Sequence, residues 1–216
     1  MGGQRSFAEG WYWVTEQLLP LHWQPAPVGA AADASGEALA IPTGPADELE
    51  SCQLMFLHLI SRAQTSLIIA TPYFVPDEPV IKALRLAALR GVAVQIITPR
   101  LTDSRWVQLS SMAHMEECAL AGITFYRYRK GFMHQKVLLA DNAEVLIGTA
   151  NLDNRSFRLN FELTIAMHCA NSAAQVAAML QRDIADSEVF DPLSYARSHR
   201  YQRALGRLFR LLAPLQ

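Results

Sequence analysis

The sequence predicts an α/β fold, for three reasons. From Ala38 onward, short apolar runs rich in β-favouring residues alternate with helix-length amphipathic segments. Residues that start and stop helices stand at the segment boundaries, Asp77 and Gly91 among them. The composition, 51% hydrophobic and 18% charged over 216 residues, supplies enough apolar surface for one well-buried domain. The expected architecture is a mixed, mostly parallel sheet covered by helices on both faces.

Residues 1–37 read as an N-terminal helix and a linker. "FAEGWYWVTEQLL" has the spacing of a short amphipathic helix with Trp11 and Trp13 as packing anchors, and "QPAPVGAAADASGEAL" reads as a surface connection. The domain proper spans 38–216. It opens with a strand near "ALAIP" and a helix over 46–62, where Leu49, Cys52, Leu54, Phe56, Leu57 and Ile60 form an apolar face. "SLIIATPYF" is a buried strand halted by Pro72. Asp77 caps a helix through "EPVIKALRLAALR" that stops at Gly91. "VAVQIIT" is the next strand, a helix over 104–121 ends at Gly122, and "ITFYRY" is a strand again. Three crossover units in a row predict parallel pairing. After Gly131 the helices drop out, leaving strands over 135–140, 144–149 and 160–168, with "DNAE" turning between the first two. A helix over 172–186 and a basic helix from Leu193 complete the chain.

Composition narrows the function. The formal charge of −1 argues against a nucleic-acid coat, and no basic and aromatic series marks a groove. Six of the nine charges from Arg127 to Arg158 are basic, which fits a local anion site better. Cys52, Cys118 and Cys169 match no metal or redox spacing and read as core residues of a reducing compartment. No uninterrupted apolar run of about 18 residues predicts a membrane span. The N-terminus lacks the pattern of a signal peptide.

One polar constellation stands out in "HQKVLLADNAEVLIGTANLDNRSF", residues 134–157. Residues two apart on a strand share a face, so His134 with Lys136, Thr149 with Asn151, and Asn160 with Glu162 would form three polar pairs on neighbouring strands. Gly148 leaves room for a ligand or a neighbouring backbone. Singly, a strand histidine is a structural residue, a lysine is a solvated charge, and Thr149 and Asn160 bridge strand ends. Jointly they describe a phosphate site. A neutral imidazole attacks an anionic phosphodiester without charge repulsion and gives a phosphohistidine. Lys136 and Asn151 would hold the nonbridging oxygens, and Glu162 would accept the other imidazole N–H. Asp141 lies in the turn, placed to bond local backbone. The chemistry requires no metal or other cofactor.

The spacing H-x-K-x4-D-x6-G-[ST]-x-N resembles the HKD signature of the phospholipase D superfamily. "TPYFVPDEPVIKALRLAALRGV", "KGFMHQKV" and "ANLDNRSFRLNFE" resemble the C-terminal half of bacterial cardiolipin synthases, from about residue 38 to the closing "RLFRLLAPLQ". "FAEGWYWVTEQ" resembles the segment joining the two halves. The resemblance implies a phospholipase D-like domain and a metal-independent phosphatidyltransferase that joins two phosphatidylglycerol molecules and releases glycerol. It makes His134, Lys136 and Asn151 active-site residues, with Asp141, the third member of the signature, mainly structural. Thr149 stands where the family usually has Ser. The family's N-terminal membrane helices and first HKD half have no counterpart here.

In-line displacement needs a second histidine on the far side of phosphorus, from another HKD half or another copy of this chain. The resemblance makes His134 the general acid and base in a two-half enzyme, and the nucleophile where two copies pair. Two other readings stay open: a homodimeric single-HKD phosphodiesterase or nuclease, and a noncatalytic phosphate-binding fragment. The expected partners are anionic phospholipid and the membrane surface, met peripherally on the cytoplasmic side. The C-terminal "YARSHRYQRALGRLFRLLAPLQ", basic with leucines at helical spacing, would lie on anionic lipid or pack on the domain.

Overall fold

The structure is a computed structural model that describes residues 2–20, 36–102 and 105–198. In chain order the elements are α1 (Gly2–Thr15), β1 (Glu37–Thr43), α2 (Ser51–Arg62), β2 (Ser66–Ala70), β3 (Phe74–Val75), α3 (Glu78–Leu89), β4 (Ala93–Pro99), α4 (Arg105–Ala119) and β5 (Thr124–Tyr128). They continue as β6 (Val137–Ala140), β7 (Glu144–Gly148), β8 (Leu152–Asp153), α5 (Asn154–Arg158), β9 (Glu162–His168), α6 (Ala170–Ala185), β10 (Ser187–Val189) and α7 (Pro192–Ser198). Most of the expected linker, the opening of the helix expected from residue 104, and the basic segment beyond 198 lie outside the described residues.

The local signals act where the residues predict. Asp77 is extended and its carboxylate accepts from Val80 N–H, with Pro79 in the first turn of α3. Gly91, at φ 91°, releases the chain from that helix into β4. The second helix starts five residues later than its apolar spacing suggests. The Asp47 carboxylate accepts from the N–H groups of Leu49 and Ser51, and Glu50 takes a left-handed φ of 52°, so a turn occupies those residues.

The expected α/β class and mixed sheet are found, with a different balance of directions. Eight strands follow the order β1-β9-β7-β6-β2-β4-β5-β10. Within this sheet β2·β4 and β4·β5 are parallel and the other five ladders are antiparallel, while β3 and β8 form a separate parallel pair. Two of the three expected crossover units are therefore present, through α3 and α4. The first strand instead pairs antiparallel with β9 at the far edge, from Glu37↔His168 to Thr43↔Glu162. A tight turn reverses β6 into β7, and the chain returns through β8 and α5 to lay β9 antiparallel beside β7.

Helices cover both faces, as expected. On one face α2, α3 and α4 bury Phe56, Ile60, Leu84 and Met115 against Leu67, Ile69, Ile96 and Leu138. On the other, Ala173, Val176 and Leu180 of α6 pack on Ile68, Ile97, Leu139 and Val145. Alternation along β2, with Leu67 and Ile69 facing one cluster and Ile68 and Ala70 the other, is the period of two expressed as packing. Phe74 meets Phe125 edge to face at 5.1 Å, which fixes β3 on the first core. Helix α1 lies against β1 at the sheet edge. Its expected anchors bury less than predicted: Trp11 stays 38% exposed and Trp13 62%, because α1 meets only the edge of the sheet, with Phe161 at 6.0 Å from the Trp13 ring.

Two contacts fix the strands that carry the polar residues. The Asp141 carboxylate accepts from the N–H groups of Gln64, Thr65 and Ser66 and from the Thr65 hydroxyl, tying the β6–β7 turn to the chain entering β2. Burial alone would raise its pKa, but these hydrogen bonds outweigh it and hold the group at about 2. Gly148 is a close approach: a Cβ there would stand 2.5 Å from the Leu163 carbonyl oxygen and 2.7 Å from Thr164 Cα. Asp141→Ala should cost about 1 kcal/mol, at the low end for a charged acceptor because the turn is wet. Stability from this carboxylate is present above its unfolded pKa of about 3.9 and lost as pH falls through its folded value. Melting curves of wild type and variant should thus converge in acid. Gly148→Ala should cost about 1–3 kcal/mol by forcing β7 from β9, read as a lower Tm at neutral pH.

Candidate active site

The residues singled out from sequence gather, with one exception, at one end of the sheet. Strand β6 runs antiparallel to β2, with Val137 opposite Ala70 and Ile147. Gly148 N–H donates to the Lys136 carbonyl at 3.2 Å, extending the ladder one bond beyond the strand. Residues 132–136 are irregular rather than strand, yet they still alternate. Met133 is buried in the α6-side core and Gln135 donates to Asp183 of α6 at 2.6 Å, which leaves His134 and Lys136 sharing the other side.

The Lys136 ammonium lies 3.0 Å from His134 Nδ1 and 3.3 Å from Nε2, and donates to the His134 carbonyl at 2.7 Å. It can donate to whichever ring nitrogen carries the lone pair. The Phe132 ring stacks on the imidazole, centroids 5.5 Å apart and planes 25° apart. Burial pushes the Lys136 pKa down, opposed by the carboxylates of Glu162 and Asp153.

Asn151 follows the end of β7 and is held by a ring of bonds. Its backbone N–H donates to Ser156 Oγ at 3.0 Å, Ser156 N–H donates to Asp153 Oδ1 at 2.8 Å, and the Asn151 side chain donates to the Asp153 carboxylate. Asn151 Oδ1 is buried with no hydrogen-bond partner among the described residues. Burial raises the Asp153 pKa, with the Ser156 and Asn151 bonds opposing and Glu162 reinforcing. Asp153 caps α5, and its backbone pairs in parallel with Val75, so the site loop is tied to β3.

The remaining residues do structural work within reach of the cluster. Thr149 Oγ1 accepts from Leu163 N–H at 2.9 Å, bridging the ends of β7 and β9 and leaving its own proton to donate. Asn160, just before β9, donates to Glu162 Oε1 at 3.1 Å. The expected clamp of Glu162 on the His134 ring is not formed: the ammonium takes the imidazole, and the carboxylate acts on the ammonium. Asp141 is the exception to the gathering. It sits at the opposite end of β6, across four strand residues, in the clamp described above.

Asp153, Ser156 and Phe132 were not singled out from sequence. Asp153 and Ser156 had a signal, since Asp three residues before Ser in "NLDNRS" is a helix-capping spacing. Phe132 had none, because its contact depends on how an irregular segment folds back.

The family described as "Cardiolipin synthase, PLD-like domain" matches residues 56–184, more than half of the chain. Cardiolipin synthase A of Pseudomonas putida (strain W619) is 44% identical over 212 residues, covering 98% of this chain and 43% of the relative. Cardiolipin synthase A of Pseudomonas aeruginosa (strain LESB58) is 43% identical over 213 residues, covering 98% and 42%. The chain thus spans less than half the length of these relatives. Two solved structures share the fold. A phospholipase D family member, Nuc, from Salmonella typhimurium aligns with TM-score 0.62 at 20% identity, over 72% of this chain and 98% of that one. Phosphatidylserine synthase from Haemophilus influenzae Rd KW20 aligns with TM-score 0.70 at 15% identity, over 93% and 50%. The motif spacing, the sheet-end cluster and these matches agree, and the chain belongs to the cardiolipin synthase, PLD-like domain family.

Proposed function

We propose that this chain is one catalytic half of a phospholipase D-type phosphatidyltransferase that converts two phosphatidylglycerol molecules into cardiolipin and glycerol. The observation that supports it most is the Lys136 ammonium 3.0 Å from the His134 imidazole, at the same sheet end as Asn151. Relatives at 44% identity bearing the name cardiolipin synthase favour lipid over nucleic acid as substrate. In the first step an imidazole nitrogen bonds to phosphorus while the bond to the departing glycerol oxygen breaks and a second imidazole gives that oxygen its proton. In the second, the hydroxyl of another phosphatidylglycerol attacks phosphorus, its proton passes to the same base, and the phosphorus–nitrogen bond breaks. Lys136 and Thr149 donate to the nonbridging oxygens, with Asn151 beside them. Asn160 and Glu162 hold the charge around Lys136.

Local charge supports a second half. One ammonium faces two carboxyl groups, Glu162 and Asp153, so a phosphodiester anion needs further positive charge. Another HKD half or a second copy would bring a lysine and the second histidine. His134 is then the acid and base in a two-half enzyme, and the nucleophile in a pair of identical chains. Contact with lipid is peripheral, on the cytoplasmic face of the membrane. No helix among the described residues is long and apolar enough to cross a membrane, and α1 exposes Phe7, Trp13 and Val14.

His134→Ala should lower cardiolipin formation from phosphatidylglycerol vesicles by about 10²–10⁴-fold in the assembled enzyme, with melting unchanged because the ring is exposed. Lys136→Ala should lower kcat by about 10²–10³-fold. Covalent phospholipid trapped on the His134→Ala chain would contradict its nucleophile role in a homodimer. DNA turnover without lipid turnover would replace the reading with a nuclease, and a monomer with neither would leave a binding fragment.

A further inference from the structure

The sheet end that carries His134 also carries a cavity that this chemistry leaves unused. Val137, Ala70, Ile97 and Tyr126 stand opposite one another across β6, β2, β4 and β5. Because β6 runs antiparallel to the other three, His134, Arg100 and Arg129 each lie three residues beyond that row in the same direction. Strands are spaced about 4.8 Å apart, so Arg100 and Arg129 emerge about 10 and 14 Å along the sheet edge from His134. A cavity of about 660 Å³ opens there, lined by Arg100, Leu101, Tyr128, Arg129 and Phe132 among others. Phe132 is shared, since the ring lining this cavity is the one stacked on the His134 imidazole.

The lining is amphiphilic. Leu101 and Phe132 are 73% and 55% exposed, large apolar side chains presented beside two guanidinium groups. Arg100 lies 3.6 Å from Glu188 and Lys130 lies 2.8 Å from Asp186. The exposed Arg129 lines the opening and makes no ion pair or side-chain hydrogen bond among the described residues, which leaves its guanidinium able to donate to a ligand. The backbone beneath is fixed: Arg100 N–H donates to the Tyr128 carbonyl at 2.9 Å, and Arg127 and Gln108 both donate to the Arg100 carbonyl. A guanidinium with open donors suits a phosphodiester, and adjacent apolar rings suit the first carbons of an acyl chain.

We infer that this cavity holds the acceptor lipid: a second phosphatidylglycerol whose phosphate sits on Arg129 and Arg100, and whose headgroup glycerol reaches past Phe132 toward the phosphorus held at His134. This rests on the reaction proposed above and names where its second substrate binds. Lysine side chains and a histidine serve the phosphate that reacts, whereas Arg129 serves the phosphate that does not.

Binding of a soluble short-chain phosphatidylglycerol to the full chain tests it, in a Lys136→Ala background that lacks the ammonium for the reacting phosphate. That variant should bind the lipid and prefer it to phosphatidylcholine of equal chain length. Adding Arg129→Glu should weaken binding about tenfold or more, with Arg129→Gln intermediate and circular dichroism melting unchanged. An unchanged Kd in the double variant overturns the inference, as does a Lys136→Ala chain with no measurable lipid binding. Turnover by His134→Ala reports separately on the reaction, so either conclusion can fail while the other stands.

Discussion

The antiparallel pairing of β6 with β2 is the constraint on which the site depends. In a uniformly parallel sheet the start of β6 would lie at the opposite edge from the ends of β2, β4 and β5. The reversal, recorded as Ala70↔Val137, instead brings residues 132–136 to the edge where the parallel strands finish. Open α/β sheets bind ligands outside the carboxyl ends of their strands. Here the imidazole and ammonium are delivered to that edge by a strand running the other way. Met133 in the core and the Gln135–Asp183 bond hold the irregular segment, so the His134–Lys136 contact is anchored by its two neighbours.

Electrostatics at this edge are unbalanced within the chain. Lys136 is partly buried, which lowers its pKa, and two carboxyl groups oppose that shift without cancelling it. The same carboxyl groups oppose an incoming anion. Asn151 is held by Asp153 with its carbonyl oxygen buried and without a partner among the described residues, which carries a cost. The excess of carboxyl groups and the acceptor without a partner among the described residues share Asp153 as a neighbour.

Much of this was legible in the sequence because it is encoded locally. Asp77 and Gly91 bound a helix through hydrogen bonding and backbone freedom at single positions, and the alternation of Leu67 to Ala70 sorts side chains between two faces. The spacing of His134, Lys136, Gly148 and Asn151 was readable because they adjoin the paired ends of β6 and β7, whose register a tight turn fixes. What escaped is nonlocal. Pairing of residues 37–43 with 162–168 leaves no mark on either segment, so β1 was placed as a parallel neighbour of β2. The Glu162 clamp failed because periodicity gives a face but not which polar group on that face reaches the ring first. Helix α5 was missed although Asp153 and Ser156 carry a capping spacing, since five residues are too short for apolar periodicity to show.

The two borders of the sheet limit how copies of this fold can associate. On one side β1 carries Pro42, which has no amide hydrogen to offer, and α1 leans on the same strand. On the other, β10 has three residues. Among the described residues neither margin is a long, regular template for a further strand, which disfavours growth of the sheet from chain to chain. The strand tips, where the irregular residues 132–136 present His134 and Lys136, are by contrast a border built of side chains and turns.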